Sequence, residues 1–180
     1  MYYYNSGTIL KNGWAQDSNS KWFWLGSDGK MVTSKWILSN KEWYYLGKDG
    51  AMIANGWAKD SKGWYFMNSS GRITKNTWIK SGGKWYCLKK DGLMAENEWV
   101  YYNKAWYYLL SGGAMAEKQW VKWKDNWYYL KPNGIMAEKE WVKWNGDWYY
   151  LKAGGAMVTG TYTVGGKTYN FDKSGKWIEK

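Results

Sequence analysis

Residues Trp141–Met157 read Trp-Val-Lys-Trp-Asn-Gly-Asp-Trp-Tyr-Tyr-Leu-Lys-Ala-Gly-Gly-Ala-Met. Two β-prone runs flank Asn145-Gly146. Asn-Gly is a strong two-residue hairpin signal, because a type I′ turn needs positive φ at both central positions. The stretch therefore predicts a short β-hairpin. A second break follows it, written Asp-Gly at 28–29, 49–50 and 91–92 in other parts of the chain, and it leads the backbone out of the hairpin.

The same stretch recurs along the chain. Trp36, Trp57, Trp78, Trp99, Trp120 and Trp141 are spaced by 21 residues, and Trp43, Trp64, Trp85, Trp106, Trp127 and Trp148 keep the same step. Trp14 and Trp22 make an earlier copy with one extra residue between them. Gly29, Gly50, Gly71, Gly92, Gly113, Gly134 and Gly155 occupy one fixed position. Met31, Met52, Met94, Met115, Met136 and Met157 occupy another, with Ile73 in the gap. A fixed period of this size marks units that must stack to bury a core. The expected organisation is one array over residues 1–180. Residues 1–13 form a partial copy with Gly7 and Ile9 at the Gly and Met positions, 14–160 form seven repeats, and 161–180 form a capping hairpin.

A two-residue loop sets the register. In the copy that starts at Trp99, a loop at Asn103-Lys104 pairs Tyr101 with Trp106, Val100 with Tyr107 and Trp99 with Tyr108. Paired residues share a face and faces alternate. One face then carries Trp99, Tyr101, Trp106 and Tyr108, and the other carries Val100, Tyr107 and Leu109. The Val100 and Leu109 columns are apolar in each copy, as a core requires. The Tyr101 column is Lys59, Lys80, Lys122 and Lys143 in four copies, so the Trp face borders a groove.

Composition narrows the chemistry. The 180 residues include 18 Trp and 17 Tyr but no His, and a single Cys, Cys87. Without His, the commonest general base and metal ligand are missing. One Cys builds neither an internal disulfide nor a Cys-rich zinc site. Glu96, Glu117 and Glu138 recur at the repeat period, which assigns them to the scaffold rather than to a glycosidase pair. No enzyme, cofactor or metal is expected. No apolar window is long enough for a transmembrane helix. The start, MYYYNSG, has no basic and apolar leader regions. Lys and Arg outnumber Asp and Glu by 26 to 15, a net charge of +11 that favours anionic polymers. The lysines fall in turns and on the groove face without an RNA-binding motif, so nucleic acid is not expected as a partner. What aromatic faces attract is a soft cation, and a quaternary ammonium, with charge and no N–H donor, suits them.

The repeat resembles the choline-binding repeat of streptococcal surface proteins and cell-wall lytic enzymes, and is similar to glucan-binding and clostridial toxin repeats. The resemblance implies an all-β solenoid of hairpins wound as a left-handed superhelix. It implies cages made by two Trp of one copy, a Met, and a Tyr of the next. Carried over, five cages are complete: Trp14, Trp22 and Met31 with Tyr45; Trp36, Trp43 and Met52 with Phe66; Trp78, Trp85 and Met94 with Tyr108; Trp99, Trp106 and Met115 with Tyr129; and Trp120, Trp127 and Met136 with Tyr150. The second Tyr of each copy is chosen because the register puts it on the Trp face; the first Tyr is the alternative. Two sets depart from the pattern. Trp57 and Trp64 would meet Ile73 and Cys87. Trp141, Trp148 and Met157 would face Thr161, Thr168 and Asn170 of the cap. Both are expected to be weak.

The resemblance further implies a secreted protein of the bacterial cell wall or surface that binds choline or phosphocholine of teichoic and lipoteichoic acids without catalysis. A glucan-binding domain is the alternative, and a plain spacer is a third reading. A homodimer through a terminal hairpin is a further possibility, because an end unit leaves one stacking surface uncovered.

Overall fold

The structure is a computed structural model that describes residues 4–5 and 8–178. Gly7 and the last two residues of the closing copy lie outside the described residues. The described chain is all β, built from antiparallel hairpins. These are β1 (Tyr4–Asn5) with β2 (Thr8–Ile9), β3 (Gly13–Gln16) with β4 (Trp22–Leu25), β5 (Lys35–Ser39) with β6 (Glu42–Leu46), and β7 (Gly56–Lys59) with β8 (Trp64–Met67). Then come β9 (Thr77–Ser81) with β10 (Lys84–Leu88), β11 (Glu98–Tyr102) with β12 (Ala105–Leu109), and β13 (Gln119–Trp123) with β14 (Asn126–Leu130). The series ends with β15 (Glu140–Trp144) with β16 (Asp147–Leu151), and β17 (Gly160–Val164) with β18 (Lys167–Phe171). The hairpin repeat predicted from the 21-residue period is present.

The turns follow the expected chemistry. Asn103 and Lys104 both take left-handed backbone, at φ 46° and 62°, and Tyr101 pairs with Trp106 as the two-residue loop requires. Asn145 and Gly146 do the same at 49° and 92°. The loop between β7 and β8 is closed differently. The Asp60 carboxylate accepts the amides of Lys62 at 2.8 Å and Gly63 at 3.2 Å, which replaces the left-handed pair with a side-chain turn.

A second turn follows each hairpin, and it supplies the tie between neighbours. The backbone folds back through Lys131–Gly134, Met136 bridges Leu130 of its own hairpin, and its N–H donates to the Trp106 carbonyl of the preceding hairpin at 2.8 Å. The same bond joins Met52 to Trp22, Ile73 to Trp43, Met94 to Trp64, Met115 to Trp85 and Met157 to Trp127, at 2.7–2.9 Å. At the cap, Trp177 takes the Met place and bonds to Trp148 at 2.8 Å.

The chain falls into two compact units. One runs to Lys80 and includes Cys87–Met94; the other comprises Ser81–Tyr86 and the residues from Ala95 onward. In the first, Leu25, Leu46, Met67 and Leu88 are almost fully buried; in the second, Leu109, Leu130 and Leu151 are. These side chains recur at the repeat period, and each contributes about 1.5–3 kcal/mol by leaving water.

Stacking in the second unit brings opposite faces together. In β13–β14, Trp120 pairs with Tyr129 and Lys122 with Trp127 on one face, while Val121 pairs with Tyr128 on the other. The Trp face of β11–β12 packs on the Val face of β13–β14. Tyr108 joins Val121 and Leu130 in one cluster, and Trp99 meets Tyr128 at 5.1 Å. The cap repeats the scheme: Tyr150 clusters with Val158 and Phe171, and Trp141 meets Tyr169 at 4.9 Å. Its far face is polar, with Thr161 bonded to Asn170 and Thr163 to Thr168.

Candidate functional site

The Trp columns divide by exposure. Each second Trp, from Trp22 through Trp148, is 38–43% exposed, while Trp99, Trp120 and Trp141 of the first column are half-buried. A large exposed aromatic repeated at one register position is not a packing residue alone. It forms one wall of a seam between stacked hairpins.

Two seams of the second unit form cavities open to solvent. The first, about 310 Å³, is lined by Trp99, Trp106, Trp123, Tyr128, Met136 and Gly154. The second, about 220 Å³, is lined by Trp120, Trp127, Trp144, Tyr149, Met157 and Ser174. Every residue but Ser174 is shifted by 21 between the two lists. Trp99 holds Tyr128 edge to face at 5.1 Å, and Trp120 holds Tyr149 in the same way at 5.1 Å. The seams of the first unit repeat the contact: Trp14 meets Tyr44 at 5.0 Å, and Trp36 meets Tyr65 at 4.8 Å.

The structure brings together Trp36 with Trp43, Trp57 with Trp64, Trp99 with Trp106 and Trp120 with Trp127, as expected from the sequence, and redistributes their partners. Tyr129, expected with Trp99 and Trp106, is buried in the core beside Val142 and Leu151; Tyr128 lines the cavity instead. Tyr150 is likewise in the core, and Tyr149 lines the second cavity. Tyr45 lies against Trp36 of its own hairpin at 5.0 Å, and Phe66 against Trp57 at 5.2 Å, so neither reaches across to the preceding Trp pair. Tyr108 is buried against Val121. The physical reason is that a seam is lined by opposite faces. The partner on the next hairpin comes from its Val face, which carries the first Tyr.

The Met assignment moves by one copy for a related reason. Met136 sits with Trp99 and Trp106, and Met157 with Trp120 and Trp127, because each Met N–H is bonded to the preceding hairpin. By the same bond Met52 belongs with Trp22, Met94 with Trp64 and Met115 with Trp85, and Ile73 falls to Trp43. The substitutions expected to weaken the Trp57 and Trp64 set therefore separate: Ile73 sits beside Trp43, while Cys87 is buried at a core position. At the cap, Trp141 meets Tyr169 at 4.9 Å and Trp177 at 5.9 Å, so rings occupy the places expected to hold Thr and Asn.

Sequence reasoning kept the first Tyr, here Tyr44, Tyr65, Tyr128 and Tyr149, only as the alternative, although a signal favoured it. The first-Tyr column keeps Tyr where the second admits Phe66 and Cys87. Sequence reasoning missed Trp123, Trp144 and Trp177, which no repeated column announces.

Electrostatics around the seams are mild. Lys59 Nζ lies 5.1 Å from the Trp64 ring centre and Lys143 Nζ 5.7 Å from that of Trp148. Burial raises the Asp60 carboxyl, but the Trp36 indole and the Lys62 and Gly63 amides outweigh it and hold it below the usual carboxylate range. Burial pushes the phenols of Tyr108 and Tyr129 up. Among the described residues no helix is long and apolar enough to cross a membrane, and no group of three or more His, Cys, Asp or Glu is placed to hold a metal. The cavity linings suit a ligand that is positively charged, compact and without N–H donors.

A family profile described as a cell wall binding repeat, of the choline-binding type, matches residues 12–31, 34–52, 55–73, 76–94, 97–115, 118–136 and 139–157. No curated protein matches the chain. Among solved structures, the choline-binding domain of CbpL from Streptococcus pneumoniae is 35% identical over 99% of this chain and 92% of that one, with a TM-score of 0.74. CbpJ from the same species is 28% identical over 98% of this chain and 69% of that one, at 0.75. Choline binding protein F, also from Streptococcus pneumoniae and crystallised with a peptidoglycan analogue, is 33% identical over 99% of this chain and 61% of that one, at 0.70.

Proposed function

The chain belongs to the choline-binding family of cell wall binding repeats, and from that premise we propose that it is a non-catalytic attachment module that holds choline in its seams. The observation that carries the reading is the lining of the 310 Å³ cavity. Four rings and a thioether surround it, and no charged side chain lines it. A primary ammonium would lose hydrogen bonds to water there without replacement, whereas a trimethylammonium has none to lose. Rings at ~0.5–2 kcal/mol each give millimolar to micromolar binding per site.

The natural ligand on this reading is phosphocholine of teichoic or lipoteichoic acid, and the location is the bacterial surface. A polymer with many cholines engages several seams at once, so avidity exceeds single-site affinity by roughly 10²–10⁴-fold. Lys59 and Lys143, whose ammonium groups lie near the exposed Trp64 and Trp148 rings, supply positive charge that the phosphates of such a polymer would meet. The net charge of +11 fits an anionic polymer on the same grounds.

One observation favours glucan as a second ligand. Tyr101 is 59% exposed and lies 5.1 Å from Trp106 at a 50° tilt, an aromatic platform on which a sugar ring can stack. Retention on a choline-like resin, with elution by millimolar free choline, tests the first reading; retention on dextran that choline does not compete supports the second.

A further inference from the structure

One wall position of the seams is not constant between copies. It lies three places after the first Trp of the following hairpin, next to the turn. Trp14 faces Ser39 there, Trp36 faces Asp60, the first cavity contains Trp123 and the second Trp144. In the first unit the position binds the indole N–H of the preceding Trp. Trp14 Nε1 donates to Ser39 Oγ at 3.2 Å, and Trp36 Nε1 donates to Asp60 Oδ2 at 2.9 Å. In the two cavities of the second unit the position is itself an indole, Trp123 in one and Trp144 in the other. Trp123 is held edge to face by Tyr108 at 5.7 Å and Trp144 by Tyr129 at 5.6 Å, and both tyrosines are buried. The added ring is therefore fixed before any ligand arrives, and binding loses little side-chain freedom.

We infer that Trp123 and Trp144 determine cation specificity, and that they make their two seams select a fully methylated ammonium more strongly than the seams walled by Ser39 and Asp60. The inference rests on the choline reading above. The chemistry is one of contrast. A quaternary ammonium gains from another ring face and donates no hydrogen bond. The Asp60 carboxylate attracts any cation through its charge, and adds a hydrogen bond only for a cation with N–H. An aromatic wall thus discriminates by methylation, and an oxygen wall does not.

The test is site-resolved. Indole N–H signals of the full chain are followed by NMR during titration with choline and, separately, with ethanolamine, its unmethylated counterpart. Trp99, Trp106, Trp120 and Trp127 are expected to reach half-shift at choline concentrations about tenfold below those for Trp14, Trp22, Trp36 and Trp43. Trp123→Leu, which keeps apolar volume, is expected to raise the midpoint for Trp99 and Trp106 about tenfold, to leave Trp120 and Trp127 unmoved, and to reduce the preference for choline over ethanolamine. Ser39→Trp is the reciprocal variant and lowers the midpoint for Trp14 and Trp22. Equal midpoints in the two groups overturn the inference, as does an unchanged Trp106 midpoint in Trp123→Leu while binding persists. Absence of any indole shift with millimolar choline removes both this inference and the functional reading beneath it.

Discussion

At Gly155 the backbone sits at φ +79°, and a Cβ built there would lie 2.5 Å from Cε of Met136, the methionine of the first cavity. A left-handed L-residue costs about 1–2 kcal/mol, and here the only relief is to push Met136. Gly155→Ala is expected to lower the denaturant midpoint and to weaken choline binding at Trp99 and Trp106; lost stability with unchanged affinity would separate Met136 from the site. Leu130→Ala probes the core instead. Leu130 is fully buried, and its truncation should cost about 2–5 kcal/mol in urea unfolding. Residue identity was legible to different depths. The core Leu column is plain in the sequence because the 21-residue period preserves it. The choice between adjacent tyrosines was not, because the register of one hairpin gives the face of each residue and leaves open which face the neighbour presents. The first-Tyr column, steadier than the one that admits Phe66 and Cys87, held that answer.

The hairpin is the element the turns govern. Lys104 occupies left-handed backbone at φ 62°, where a side chain is strained and glycine is not. Lys104→Gly should therefore stabilise the protein by about 0.5–1 kcal/mol, read as a higher urea midpoint with unchanged slope. A lower midpoint would mean that the lysine makes compensating contacts. The β7–β8 loop predicts the opposite sensitivity. There the turn depends on the Asp60 carboxylate, so Asp60→Ala should destabilise, while the same change at the exposed Asp125 should not. Turn positions were legible because Asn-Gly and Gly-Gly pairs have few other uses. The bond from each Met N–H to the preceding hairpin was not, since a backbone bond between neighbours has no side-chain signature. That is why Met52, Met94, Met115, Met136 and Met157 each shift by one copy. The wall position at Ser39, Asp60, Trp123 and Trp144 escaped for a different reason: its chemistry changes from copy to copy, and a search for columns passes over it.

For the whole molecule, pH, salt and ligand each give a separate readout. Tyr65, Tyr108, Tyr129 and Tyr149 have phenols pushed up, first by burial. A phenol raised in the folded state adds stability that is complete below the unfolded value near pH 10 and is lost as pH rises through the folded one. Melting temperature should therefore fall steeply above about pH 10, with little change between about pH 6 and 9. On the proposed function, binding to a phosphocholine polymer should weaken as salt rises, through Lys59, Lys80, Lys122 and Lys143, while binding of free choline barely changes. Equal salt dependence would remove the lysines from recognition. The central claim is that the ring-lined seams take up a methylated cation, and a ligand that binds only the folded state raises its stability by mass action. A melting scan in choline, in its neutral isostere 3,3-dimethylbutan-1-ol and in glucose oligomers tests it most directly. The account predicts a concentration-dependent rise in melting temperature with choline and almost none with the other two; a rise with the oligomers or with the neutral isostere, and none with choline, would contradict it.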